Sequence, residues 1–291
     1  MCGLQQELSY WLQGPIHVNP IPEDYRRGDN TVASARDIEV VLSVEETQAL
    51  LKDVPAAYRT HINEVLLTAL VKALSRWTSS TSQLIDLEGH GREDLFEDID
   101  LTRTVGWFTS IFPVWLSLGA DASHADSLKS IKEQVRRIPN RGIGYGILRY
   151  LSEDASIKQK LSDLSQAQIS FNYLGQFANN AAGGNEIESN RVVPAESSGL
   201  TRSPRGHRHY LLEINGRVEQ GQLLLCWTYS ENYHMHDTIS TLANEFIASL
   251  QSLIQHCQVS EPSGYTPADF PSVALSQNEL DSLLAELSEG E

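Results

Sequence analysis

The sequence predicts a mixed α/β fold, and three observations point to it. Strand-like and helix-like segments interleave along the chain. Two apolar stripes at helical spacing, over about 62–78 and 237–257, are wide enough to be deeply packed. An antiparallel hairpin is expected over 210–230. With 291 residues, 41% of them hydrophobic, the chain can bury a sizeable core as one large domain or two small ones.

The elements follow in order. Residues 5–13 (QQELSYWLQ) read as a short helix, and the Pro- and Gly-containing polar stretch 14–36 as a linker. DIEVVLS (37–43) is strand-like, and Ser43 with Glu46 forms a capping-box pattern that opens a helix. The 62–78 stripe runs through Ile62, Val65, Leu66, Ala69, Leu70, Ala73, Leu74 and Trp77. SQLIDLE (82–88) is a strand with Leu84, Asp86 and Glu88 on one face and Ile85 and Leu87 on the other. SIFPVWLSL (110–118) is a strand that Pro113 confines to an edge or a bulge. Ser123 caps an amphipathic helix over 124–138, and NRGIGYG (140–146) reads as a glycine-rich loop. AQISFNYLGQF (167–177) is a strand, and 178–190 has the composition of a mobile loop. The hairpin 210–230 turns at EQG, and the second stripe gives a long helix. A linker over 261–272 then precedes a last acidic helix capped by Ser276 and Glu279.

Charge and cysteine content exclude several function classes. The formal net charge is −16, from 38 acidic and 22 basic residues, and no Lys/Arg cluster suits a nucleic-acid partner. Cys2, Cys226 and Cys257 form neither a metal-ligand spacing nor a disulfide framework, which fits a reducing cytoplasm. No apolar run reaches the roughly 18–20 residues of a membrane span. The first residues are too polar for a signal peptide, and Cys2 stands where myristoylation needs glycine.

Glu88 is the leading candidate for chemistry. A carboxylate at a strand end beside Gly89 and Gly91 is open to a ligand and exchanges protons if burial raises its pKa; the same pattern also fits a solvated carboxylate at a strand exit. His90 and Glu88 are i, i+2 neighbours in a Gly-rich turn and need not face each other. His207/His209 and His234/His236 have period-two spacing but no third ligand at a fixed distance, so no metal site is expected. GIGYG is not a phosphate loop, and no G-x-S-x-G elbow is present. Trp107 and Phe108 read as core packing. Asn172 and Tyr173 are adjacent on a strand and point to opposite faces; Tyr173 is an ordinary sheet residue or a hydroxyl donor to a developing oxyanion. Glu93 reads as a solvated loop carboxylate or a partner for Arg92 or Arg103.

Taken in order, NEVLLTAL (63–70), EGHGRE (88–93), RTVGWFTSIFP (103–113), PNRGIGYG (139–146) and FNYLGQF (171–177) resemble the epimerization domains of non-ribosomal peptide synthetases. The resemblance continues through residues 211–234 and 264–284. It implies a chloramphenicol-acetyltransferase-like fold, a V of two similar lobes, each a mixed sheet flanked by helices, with the active site between them. The substrate implied is an aminoacyl or peptidyl thioester on the phosphopantetheine arm of a peptidyl carrier domain, with no cofactor bound by this chain itself. Glu88 is implied as a catalytic carboxylate. Asn172 and Tyr173 are implied near the site, Tyr173 as enolate donor or proton shuttle. Gly89, His90, Gly91, Trp107 and Phe108 are implied on the substrate side, the two glycines keeping side chains out of the tunnel. The family's catalytic histidine belongs to an H-H-x-x-x-D-G motif on the N-terminal lobe, and none of the nine histidines here lies in one. The chain is therefore expected to be a C-terminal lobe over 37–260, after a remnant helix (1–14) and a linker (15–36) and before a C-terminal segment (261–291). It is expected to be an isomerase only together with an N-terminal lobe, and to work beside other synthetase modules. A non-catalytic carrier-docking or scaffold lobe, and a condensation-type acyltransferase half, are the alternatives.

Overall fold

The computed structural model describes residues 2–15, 17–93, 99–101, 103–177, 199, 202–259, 264–270, 272–273 and 275–289. α1 (Cys2–Trp11) precedes β1 (Ala35–Val41), which leads through α2 (Val44–Tyr58) and α3 (Ile62–Thr78) to β2 (Ser82–Gly89) and β3 (Ser110–Ser117). α4 (His124–Arg136), α5 (Ile143–Gly146) and α6 (Ala155–Ser162) follow. Then come β4 (Ile169–Phe177), β5 (Leu212–Glu219), β6 (Gln222–Ser230), α7 (His236–Val259) and α8 (Gln277–Glu289).

The strands form one sheet in the order β1-β6-β5-β4-β2-β3. The inner pairs β2–β4 and β4–β5 are parallel, and the other pairs are antiparallel. Parallel neighbours need a crossover, and α4 to α6 lie in the one between β3 and β4. β3 is an edge strand, as Pro113 requires, because a proline cannot donate to a second neighbour. Gln220 and Gly221 both have positive φ, 51° and 81°, which suits the two-residue turn joining β5 to β6.

Local signals set the helix starts. The Ser43 hydroxyl accepts from the Glu46 amide at 3.2 Å while the Glu46 carboxylate accepts from the Ser43 amide at 3.1 Å. Ser123 caps α4 by accepting from the Asp126 amide. The α3 stripe is fully packed, with Val65, Leu66, Leu70, Ala73 and Leu74 all inaccessible. On the sheet, Ile38, Trp227, Ile214, Phe171, Leu87 and Phe112 line the buried face, with Trp227 edge-on to Phe246 of α7. The other face carries half-buried and exposed positions: Leu84, Asp86 and Glu88 on β2, Asn172 on β4 and Glu213 on β5. Val41, Ile111 and Trp115 also lie there, 43%, 44% and 38% exposed.

Some expectations need correction. The 140–146 stretch is not a loop but a 3-10 turn (Pro139–Gly142) running into α5 and then a π turn (Ile147–Leu151). α6 was not anticipated. The segment around 17–36 has little regular structure, yet it is strapped to the segment after β6: Asp24 and Arg27 amides donate to the carbonyls of Tyr233 and Asn232, and Ile21 is buried. The described part of the second linker is also fixed. Asp269 accepts from the inaccessible Lys132 ammonium at 2.6 Å and from Arg136 at 2.6 Å, and Lys132 also donates to the Tyr58 and Gly264 carbonyls. The composition-based mobile loop 178–190 lies outside the described residues.

Candidate functional site

β2 lies between edge strand β3 and β4, and its period-two alternation puts Asp86 and Glu88 together on the outer sheet face. Asn172 of β4 lies beside Glu88, and its amide donates to Glu88 Oε2 at 2.9 Å. Burial, and then the charge of Glu213, push the Glu88 carboxyl above its ordinary range. Among the described residues no cation pairs with it. A half-buried carboxylate held by a neutral amide, with raised proton affinity, is suited to take up and return a proton.

Two further carboxylates share the face. Asp86 accepts from the Tyr210 hydroxyl at 2.7 Å; burial raises its pKa while Tyr210 and His209 pull it back. Glu213 accepts from the Nε and Nη2 of Arg208 at 3.2 and 3.1 Å, and Arg208 is itself buried and bonded to Asn30 and the Thr228 carbonyl. Tyr210, Glu213 and Arg208 were not anticipated. Asp86 had a sequence signal in its alternation with Glu88; the others lie on a strand and a lead-in segment more than a hundred residues away.

Tyr173 is not brought to Glu88. Alternation turns it to the opposite face, where it packs against the core beside Gly216, and its hydroxyl is buried without a partner among the described residues. The expected role as donor to an enolate at Glu88 is corrected on that ground. His90 does not face Glu88 either. Its Nδ1 accepts from the Arg92 amide at 3.0 Å and its Nε2 lies 3.3 Å from Glu93. Glu93 is not a solvated carboxylate: it is 7% exposed and pairs with Arg141 at 3.1 Å.

The glycines let the chain's own atoms approach closely. A Cβ on Gly91, whose φ is +67°, would lie 1.6 Å from the Phe108 carbonyl oxygen, and one on Gly89 would meet Ser110 Oγ at 2.9 Å. Trp107 is 90% exposed and Val105 99%, so the core-packing reading of Trp107 is corrected; Phe108 is half-buried beneath the Arg92 guanidinium, 4.4 Å from its ring centroid. Gly91→Ala is expected to lower stability by about 2 kcal/mol or more through clash and strain combined, seen as a reduced urea midpoint. A melt matching the parent would remove the close approach from the account.

Among the described residues no group of three His, Cys, Asp or Glu side chains is placed to hold a metal, and no helix is long and apolar enough to cross a membrane.

The chain is similar to several known proteins. One of the linear gramicidin synthase subunits, from Brevibacillus parabrevis, is 45% identical over 293 residues, covering 98% of this chain and 4% of that protein. Gramicidin S synthase 1 of Brevibacillus brevis is 37% identical over 285 residues, covering 96% of this chain and 26% of that protein. Among solved structures, the epimerization domain from the third module of tyrocidine synthetase B superposes with a TM-score of 0.78 at 35% identity. That match covers 88% of this chain and 56% of that one. The chain thus spans about half of that domain's chain and a small part of the synthases. The family model described as the condensation domain matches residues 3–271, and the chain belongs to the condensation domain family of non-ribosomal peptide synthetases.

Proposed function

We propose that this chain is the C-terminal lobe of an epimerization domain, converting a carrier-bound L-aminoacyl or peptidyl thioester to its D-epimer. The observation that carries the reading is the Glu88 carboxylate: half-buried, raised in proton affinity, and held by Asn172 on an open sheet face. The α-hydrogen of a thioester is weakly acidic. When Glu88 takes it, the C–H electron pair moves into the enolate and negative charge collects on the thioester oxygen. Inversion requires the proton to return to the other face of Cα, so a second acid/base group must stand opposite Glu88. No H-H-x-x-x-D-G motif occurs in these 291 residues, so in this proposal that group comes from an N-terminal lobe. The partly apolar outer face, with Ile111 and Trp115 exposed, suits a surface that such a lobe covers. The phosphopantetheine arm arrives as part of the substrate on a carrier domain. The similarity to the tyrocidine synthetase epimerization domain favours this reading over peptide-bond formation.

The test joins the chain to the N-terminal lobe of a related epimerization domain and incubates it with a carrier loaded with an L-aminoacyl thioester. Chiral analysis after hydrolysis is expected to show the D-isomer, with solvent deuterium at Cα, from the joined protein and not from the chain alone. A joined protein that folds and binds the loaded carrier but leaves it entirely L would support a non-catalytic docking lobe instead.

A further inference from the structure

The outer face gathers Asp86, Glu88 and Glu213, and the short segment ahead of β5 deals with two of them. Tyr210 donates its hydroxyl to Asp86 Oδ2, and Arg208 places two N–H groups on Glu213 Oε1. Neither contact is incidental. The Arg208 side chain is 3% exposed and is fixed by Asn30 Oδ1 and the Thr228 carbonyl; Tyr210 is braced edge-on by the His209 ring, centroids 4.7 Å apart. Among the described residues, Glu88 receives the amide of Asn172, at Oε2. The groups around Glu88 are Asp86 along β2, Ile111 paired on β3, Asn172 on β4 and Glu213 on β5; His209, Tyr210 and Arg208 approach from ahead of β5. No ammonium or guanidinium contacts Glu88 among the described residues.

We propose that Tyr210 and Arg208 are positioning residues for Glu88: by fixing Asp86 and Glu213 in hydrogen bonds of their own, they leave Glu88 as the carboxylate of this face that exchanges a proton. The strand register puts Asp86 and Glu213 on either side of Ser170, and Glu88 lies beside Asn172 in the next outward-facing row. The Tyr210 hydroxyl occupies an oxygen of Asp86, and the Arg208 guanidinium occupies one of Glu213. The charge of Glu213 favours the protonated form of Glu88. Any catalytic consequence rests on the epimerase reading above, but the division of roles among the carboxylates does not.

The test is a pH titration by NMR of the chain labelled with 13C at aspartate and glutamate carboxyls. Asp86→Asn, Glu88→Gln and Glu213→Gln assign the three signals, and a thermal melt checks each variant for folding. Glu88 is expected to titrate above ordinary glutamates. Tyr210→Phe removes one hydrogen bond to an ionised group and is expected to raise the Asp86 midpoint by about one pH unit or more. Glu213→Gln is expected to lower the Glu88 midpoint. In the joined two-lobe protein, Tyr210→Phe should also shift the acidic limb of the rate profile, which a merely structural role would not do. Unchanged Asp86 and Glu88 midpoints in folded Tyr210→Phe and Glu213→Gln would overturn the proposal, even if Glu88→Gln abolishes epimerization. Conversely, the NMR shifts decide it even if no epimerization is found.

Discussion

Glu88→Gln, in the chain joined to an N-terminal lobe, is expected to lower epimerization by roughly 10²–10⁴-fold and leave folding intact. Glutamine keeps the side chain's length, and its carbonyl still accepts from Asn172. What it cannot do is accept a proton from Cα. Stability should not fall. The folded-state pKa of Glu88 is raised above the ordinary carboxylate value, so the carboxylate costs stability as pH rises through that folded pKa, and the amide removes the cost. Chiral analysis and a melt at neutral pH check both halves. The comparison variant is Glu39→Gln, an exposed carboxylate on edge strand β1, which should retain near-parent rates. Glu93→Gln is not a neutral control, because Glu93 is buried against Arg141 and His90. Near-parent activity in Glu88→Gln would make Glu88 an ordinary carboxylate at a strand end.

Asp269→Ala is expected to destabilise the chain by about 3–5 kcal/mol, the cost of leaving a buried charge without its partner. The stranded group is Lys132, which is fully buried and has its ammonium 2.6 Å from Asp269. The two partners answer burial differently. Burial wins at Lys132 and lowers its pKa, whereas at Asp269 the opposing donors Lys132, Thr266 and Arg136 win and the pKa falls. Asp269 therefore contributes stability at neutral pH that fades as pH drops below the ordinary aspartate value near 3.8. Lys132→Met in the Asp269→Ala background should recover much of the loss, because a methionine has no charge to strand. Urea denaturation measures all three proteins. A loss below about 1 kcal/mol for Asp269→Ala would mean that water reaches Lys132 and the anchoring is weak.

Most helices and strands were legible in the sequence because their signals are local. The reciprocal cap of Ser43 and Glu46, the apolar stripe of α3 and the alternation of β2 each need only neighbours along the chain. The same alternation put Asp86 with Glu88 and separated Asn172 from Tyr173. Stretches shaped by distant atoms were not legible. Asn140 and Arg141 take positive φ, and the following Gly142 packs where a Cβ would lie 2.2 Å from the Phe112 ring, so a helical turn had the composition of a loop. Trp107 had the composition of a core residue, but its loop turns back beneath Arg92 and leaves the indole outside. Tyr210 meets Asp86 across 124 positions of sequence, and no local pattern encodes that contact.

The strand order has a consequence for how this sheet is made. β1 touches no strand except β6: Val41 meets Leu224 and Ala35 meets Ser230. During synthesis the first strand therefore leaves the ribosome roughly 190 residues ahead of its partner, a wait of roughly 10–40 s at ~5–20 residues per second. Through that interval Ile38 and Val40 have no sheet to enter, and α7, which packs on β1, is made later still. Cooperative assembly of this sheet thus waits on the last third of these 291 residues, and a ribosome stalled before residue 230 holds a chain in which β1 has no strand to pair with.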